Sequence, residues 1–363
     1  MSEPTQEQVI SIVSSLFDIR DTTITLEKME FEIARSDFKQ KFVVLAQRLE
    51  GIGIVCFLKE SEGRLFIQVN RLPPESKKRR ILSRSWIQRI LFGVVVAFVM
   101  VDGYYRTLGV NAIIFIGDPF DFAILYTLSL VGILGVHEAG HIIAARFHKI
   151  RTSWPYFIPG IPVIGIPTFG ALIQSRGLMI NRDILFDIAI AGPIAGLVIA
   201  VPVSFYGAYT SPVLDTLMVE QMPDGSFLNL SDSILMKFAL SAYGKDSPDV
   251  QVMMSPILFA AWLGFLITFL NLLPAWQLDG GHMARSLLGH KIHRYATYAS
   301  VGVLFLLQYH IMALFILLFS SRNTSVRPLD DVSPLSKNRK YIYIAVIILA
   351  ALCAPIPQSV WPY

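Results

Sequence analysis

His137, Glu138 and His141 stand together in the run Val136-His137-Glu138-Ala139-Gly140-His141. On a helix, residues at i and i+4 share a face one turn apart, so both imidazoles reach one metal ion. Glu138 adjoins the first of them, where its carboxylate can take a proton from an attacking water. This is the H-E-x-x-H arrangement of metal-assisted peptide hydrolysis, and it predicts zinc. In a soluble helix, two hydrogen-bonded histidines and a surface glutamate would be a fair competing explanation. Here the three groups interrupt a block of Leu, Val, Ile and Ala long enough to cross a membrane. Burying them there costs several kcal/mol, which marks such residues as functional candidates.

A catalytic zinc takes three protein ligands and leaves one position open. The continuation x-x-G-x-x-H does not supply the third ligand, because positions 144 and 147 are Ala and Phe, and His148 falls off the ligand face. The strongest remaining donor is Asp279 in Asn271-Leu-Leu-Pro-Ala-Trp-Gln-Leu-Asp279-Gly-Gly-His282. Pro274 is expected to end a helix and Gly280-Gly281 to turn the chain, aiming Asp279 back at the histidines. Alone, that aspartate would read as a turn or cap residue; paired with H-E-x-x-H inside a membrane, it reads as a ligand. His282, His290, His293 and His310 read as capping or interfacial histidines. Asp187, a further carboxylate within an apolar block, is expected either to orient a ligand histidine or to pair with Arg182.

The elements that must position these groups follow from composition. Of 363 residues, 53% are hydrophobic and 16% charged, against about 25% charged in an ordinary soluble domain. Apolar blocks of spanning length fall at 86–105, 121–146, 184–208, 253–275, 296–320 and 341–361. The block at 296–320 reads as one tilted helix or as a hairpin broken at Gln308-Tyr309-His310, and charge bias favours the hairpin. The predicted class is a polytopic α-helical membrane protein of about six to seven transmembrane segments, with a re-entrant β-containing loop and a small N-terminal α+β domain. Residues 1–76 form the soluble cytoplasmic domain and 77–363 the membrane domain, whose core covers about 120–295. Within the first, Gln6 to Leu16 and Asp37 to Glu50 have helical periodicity, whereas 29–34, Ile52 to Leu58 and Leu65 to Asn70 read as strands of a βαββ core. The start MSEPTQEQ lacks a signal-peptide pattern.

Pro73-Pro74 and the basic run Lys77-Lys78-Arg79-Arg80 precede the first block, where a positive-inside signal belongs. That places the N-terminus and the metal-bearing ends of the helices on the cytoplasmic side, with the acidic loop 209–252 outside. The net charge of +4 is therefore membrane-related, and no nucleic-acid partner is expected. Cys56 and Cys353 have no C-x-x-C spacing and read as small buried residues. Residues 155–175 are apolar yet carry four prolines and four glycines, which forbids a continuous helix. Irregular backbone at membrane depth needs protein or a water-filled cavity around it, hence a re-entrant loop with a short strand near Thr168 to Ile173.

The motifs HEAGH (137–141) and NLLPAWQLDGG (271–281), with FGALIQ (169–174) and NRDILFDIAIAGPIAG (181–196), together resemble the site-2 protease family of intramembrane zinc metalloproteases, peptidase family M50. The likeness runs from about 120 to 340 and is nearest the plant-chloroplast and cyanobacterial branch. It implies that His137, His141 and Asp279 hold Zn2+ and that Glu138 is the catalytic base. It implies further that Asn271 helps bind the reacting carbonyl, and that the loop around Thr168, Phe169 and Gly170 receives substrate as an added β-strand. The implied activity is endopeptidase cleavage of transmembrane segments of other proteins within the lipid bilayer. The stretch 209–252 is too short for the PDZ domain that many members carry. A prenyl-protein type of membrane zinc protease would use a glutamate as third ligand, unlike Asp279. A zinc-binding membrane protein without turnover is the alternative reading.

Overall fold

The computed structural model describes residues 5–25, 29–71, 85–163, 165–172, 178–214, 231–247, 250–322 and 326–355. Pro73-Pro74, the basic run at 77–84, residues 173–177, the acidic residues Asp215, Glu220, Asp224 and Asp249, and the end of the last apolar block (356–361) lie outside the described residues.

The N-terminal unit runs α1 (Gln6–Ser14), β1 (Ile19–Ile24), β2 (Met29–Ile33), α2 (Phe38–Glu50), β3 (Ile54–Ser61) and β4 (Arg64–Arg71). Thr5 opens α1 with a capping box, its hydroxyl accepting from the Gln8 amide. Phe42, Leu45, Ala46 and Leu49 give α2 a buried stripe at helical spacing. The sheet is ordered β1-β2-β4-β3 and antiparallel throughout. Leu65, Ile67 and Val69 alternate inward from β4. Strand β1 has no buried residue, so it lacks the period-two signal and was not anticipated.

Edge strand β3 does not end the sheet. The Leu58 amide donates to the Leu329 carbonyl at 2.9 Å, and Leu329 and Asp330 in turn donate to Met179 and Ile180 at 2.9 and 2.8 Å. The N-terminal core is accordingly continuous with Ala145, Ile150, Ile180, Ile184 and Leu329 of the helical part. Cys56 sits inside this core, where burial pushes its thiol up to about 12.

The helical part begins with α3 (Ser85–Asn111), α4 (Pro119–Phe147) and α5 (Arg182–Thr210), with a hairpin of β5 (Tyr156–Pro159) and β6 (Thr168–Leu172) between the last two. Three helices, Trp86–Asn111, Pro119–Phe147 and Arg182–Thr210, are long and apolar enough to cross a membrane. Asp118 caps α4 ahead of Pro119, and Asn181 caps α5. After two short strands, β7 (Val213–Leu214) and β8 (Gln251–Val252), and the small helix α6 (Ile234–Ser241) comes α7 (Pro256–Leu272), apolar on all sides and buried nearly all round, as befits the centre of a bundle.

Beyond it run α8 (Asp279–Leu306), α9 (His310–Arg322) and α10 (Lys337–Cys353). The block at 296–320 is broken at the polar triplet: Gln308 has φ 64° and a new helix starts at His310. Helix α8 breaks at Gly289 (φ 76°, ψ 177°), and its second half returns past Trp276, whose amide donates to Thr297 Oγ1 at 3.1 Å. Trp276 also meets Phe315 and Phe319 near the end of α9 at 6.2 and 5.7 Å, so the second half of α8 and α9 run antiparallel as a hairpin.

Lys245 donates to the Ala208, Tyr209 and Ser211 carbonyls at 2.7, 3.1 and 2.6 Å, closing the C-terminus of α5. Nearby, burial pushes the Asp232 carboxyl up to about 6, against Lys237 and helped by Asp246. An acid whose folded value lies above its unfolded one holds an extra proton when folded, so stability falls as pH rises from about 4 to about 6. Asp232→Asn should therefore stabilise the protein by about 1–2 kcal/mol near pH 7 and leave it unchanged near pH 4. Thermal melts in detergent at both pH values check this; equal melting temperatures near pH 7 would refute it.

Candidate metal centre

Helix α4 carries His137 and His141 one turn apart, and α5 packs against that turn. The Nε2 atoms of the two histidines lie 3.2 Å from each other. Each also lies 3.4 Å from one carboxylate oxygen, Oδ2 of Asp279. One ligand atom from each of the three residues falls within 4.8 Å of the others. Two imidazole nitrogens and a carboxylate oxygen are the donor set of a catalytic zinc with a place left open. The donors therefore fit the ion that the sequence calls for.

Neighbouring backbone orients the donors. Nδ1 of His141 is 2.7 Å from the Ile188 carbonyl of α5. A carbonyl only accepts, so that nitrogen carries the proton and Nε2 presents its lone pair to the metal. Gly192 and Gly196 of α5 let the imidazoles lie flat against the helix. A Cβ on Gly196 would come within 3.2 Å of His137 Nδ1, and one on Gly192 would overlap the His141 ring. Only the fold reveals the place of these two glycines against the ligand histidines.

Asp279 arrives differently from the expected turn. The helix α7 ends at Leu272, the chain turns through Pro274 and Trp276 (φ 45°), and Asp279 is the first residue of α8. Gly280 and Gly281 are helical, not turn residues; they press on the backbone carbonyls of Leu272 and Ala275, where any side chain would collide. Close backbone approach, not flexibility, is what this pair supplies.

Glu138 is 6% exposed on the same turn of α4. Asn271 occupies the last turn of α7, half-buried, beside the Leu272 carbonyl that abuts Gly280. On the hairpin, Thr168 is buried and its hydroxyl donates to the Ile158 carbonyl at 2.9 Å, while Phe169 is 62% exposed and Gly170 has φ 90°. Strand β6 pairs with β5, and among the described residues no strand pairs with its other edge.

Both expectations for Asp187 fail. It binds neither a ligand histidine nor Arg182. It forms a two-pronged pair with Arg339 of α10, 2.6 Å in each arm, and takes His148 at 3.1 Å. Arg182 pairs instead with Asp331, which also holds the buried Arg285 of α8 at 2.6 Å. The sequence reading also passed over Asp102 and Arg106 in α3, although two opposite charges four residues apart inside an apolar block were a legible signal.

These features define a class: helices apolar enough to cross a membrane that bring together the donor set of a zinc peptidase. Residues 125–309, more than half of the chain, match the sequence profile of Peptidase family M50, and the chain belongs to that family of zinc metallopeptidases. It is similar to "Probable zinc metalloprotease EGY2, chloroplastic" of Oryza sativa subsp. indica, 29% identical over 289 residues that cover 75% of this chain and 50% of that protein. The chloroplastic EGY1 of Arabidopsis thaliana, also named a zinc metalloprotease, is 30% identical over 241 residues, 64% of this chain and 43% of that protein. The chloroplastic EGY3 of Oryza sativa subsp. japonica is 25% identical over 257 residues, 65% and 43% of the two chains. The chain thus spans half or less of these relatives' length. Among solved structures, none matches it.

Proposed function

We propose that this chain is an intramembrane endopeptidase that hydrolyses peptide bonds in transmembrane segments of other membrane proteins. The observation that carries the proposal is the convergence of His137, His141 and Asp279 beside the buried Glu138, between helices apolar enough to cross a membrane. Membership of a zinc metallopeptidase family supports it.

His137, His141 and Asp279 hold zinc. When bound, zinc supplies a Lewis acid that lowers the pKa of a coordinated water toward about 7 and polarises a carbonyl. Glu138 takes the proton of the attacking water on a carboxylate oxygen and passes it to the leaving amine. Asn271 donates from its side-chain amide to the oxyanion as it forms. A helical substrate shields its peptide bonds, so the cleaved stretch unwinds and adds along the open edge of β6 at Thr168, Phe169 and Gly170.

The shorter apolar helices α7 and α9, and then α8 and α10, complete six to seven transmembrane segments around the three long ones. Arg146 in the last turn of α4, Lys149 and Arg151 after it, and Arg285, Lys291 and Arg294 in α8 support a cytoplasmic side for the metal-bearing ends and the N-terminal domain.

The test is cleavage of a panel of single-span substrates by the purified full chain in detergent, before and after zinc removal with a chelator. Cleavage should stop on chelation and return with added zinc. A zinc-loaded protein that cleaves no span would sink the proposal in favour of a zinc-binding membrane protein without turnover.

A further inference from the structure

We propose that the ion pair Asp102–Arg106 is a positioning device that pins the tip of the β5–β6 hairpin and so sets which bond of a substrate meets the metal centre. The inference rests on the reading of β6 as the strand that receives substrate.

Asp102 is fully buried within α3, a helix apolar enough to cross a membrane. A carboxylate there requires partners, and it has several. Arg106, one turn on, donates to it at 2.6 Å, and the Tyr126 hydroxyl of α4 donates at 2.7 Å. The third bond comes from the hairpin: the Val163 amide donates to the other carboxylate oxygen at 2.8 Å. Arg106 completes the grip, donating to the Gly165 carbonyl at 3.2 Å and lying 3.7 Å over the Phe259 ring of α7. Val163 is held at φ 72°, a region a β-branched residue rarely adopts. The tip is thus bonded at both a donor and an acceptor to charged groups in a low-dielectric place, where such bonds are strong.

The hairpin lies along α3. Gln88 donates to the Trp154 carbonyl at 3.2 Å, and Phe92 meets Phe157 at 5.0 Å, so β5 follows the helix from its start toward Asp102. Near the base these contacts are a side-chain amide hydrogen bond and a ring contact, whereas the tip meets a carboxylate and a guanidinium. Tyr126, the link to α4, precedes His137 by eleven residues, which at 1.5 Å each puts the pin about 16 Å from the metal centre along that helix. The five residues of β6 span about 16 Å as strand. The pinned tip and the metal centre therefore bracket β6, and the depth of the pin fixes the depth of every residue on its open edge. Because strand pairing is read in whole-residue steps, a slip of the hairpin shifts the register of an added strand. The consequence is a different bond presented for attack, with the metal ligands untouched.

The experiment uses the full chain in detergent and the double variant Asp102→Asn with Arg106→Gln, which leaves no unpaired charge in the bilayer. Tyr126→Phe, which keeps the ion pair and the Val163 bond, is the companion. Amide hydrogen exchange over 160–168 reads the pin directly, and mass mapping of products from a single-span substrate reads the register. In the double variant, exchange at the tip should quicken, and one dominant cut should spread to neighbouring bonds. KM should rise on the order of tenfold with kcat within about twofold, as expected when binding of substrate is what has been loosened. Bound zinc should stay at the wild-type level, and Tyr126→Phe should keep the wild-type cut. A double variant that keeps both tip protection and the single cut overturns the proposal. So does one that loses protection yet cuts only the original bond. A wild type that cleaves nothing sinks the peptidase reading, and the register claim with it, while the exchange arm still reports whether the pair holds the hairpin.

Discussion

Glu138→Gln is expected to retain zinc at the wild-type level while losing turnover by about a thousandfold or more, the upper part of what general acid–base catalysis contributes. Glutamine has the shape of glutamate and can still hydrogen-bond to a water. It cannot accept that water's proton. The residue is 6% exposed on the turn of α4 that carries both histidines, so no bulk water substitutes freely as base. The histidines keep their own supports, the Ile188 carbonyl at His141 and the Asp279 carboxylate at both, and none of these passes through Glu138. The loss should therefore fall on kcat with KM little changed, since the group acts on the reacting atoms and not on the bound peptide. Metal analysis and steady-state kinetics on the same preparation decide it. A variant that still turns over within tenfold removes Glu138 from the role of base, and one that loses zinc makes it a ligand.

What the sequence showed of this site and what it hid divide along one line. His137, Glu138 and His141 were legible because their relation is local: one helical turn fixes it whatever the rest of the chain does. Asp279 was legible as a chemical type in an improbable setting, but its posture was not. A Gly-Gly pair after an aspartate reads as a turn, whereas here both glycines are helical and serve close approach to Leu272 and Ala275. The break at Gln308 could be read because a polar triplet interrupts an apolar block. Strand β5 could not, since its Pro/Gly-rich surroundings carry no period. Strand β1, exposed at every residue but the half-buried Ile19, gave no alternation to detect. The partner of Asp187 was out of reach for a different reason: Arg339 lies 152 residues away, and only the fold brings α10 to α5. The same holds for the docking of β3 on Leu329, which joins the N-terminal domain to the helices through a segment with no pattern of its own.

Gly192→Ala should lower zinc affinity by at least about a hundredfold, the larger end of what supporting residues contribute to a metal site. The added methyl would overlap the His141 imidazole, 2.6 Å from Cδ2 and closer still on the metal-facing edge at Nε2. Helix α5 cannot yield easily, because Gly140 of α4 already presses against the backbone of Ala191. Nor can the ring swing aside without giving up the Ile188 carbonyl that fixes its tautomer. The ligand must therefore leave its position or the two helices must part, and either disperses the donor set. Gly196→Ala is a graded comparison: its methyl would lie 3.1 Å from His137 Cβ, a crowding of a few tenths of an ångström that neighbouring side chains can relieve, so a loss of only about tenfold is expected. Gly132→Ala, on α4 with nothing within 4 Å of the added carbon, should bind zinc normally and gain about 1 kcal/mol of helix stability. Zinc titration of the three variants against a competing chelator, with helix content followed by circular dichroism, tests the order. If Gly192→Ala binds zinc as tightly as Gly132→Ala while remaining folded, then His141 is not held against α5 in the zinc-bound protein, and the alignment of the imidazoles must come from the metal itself.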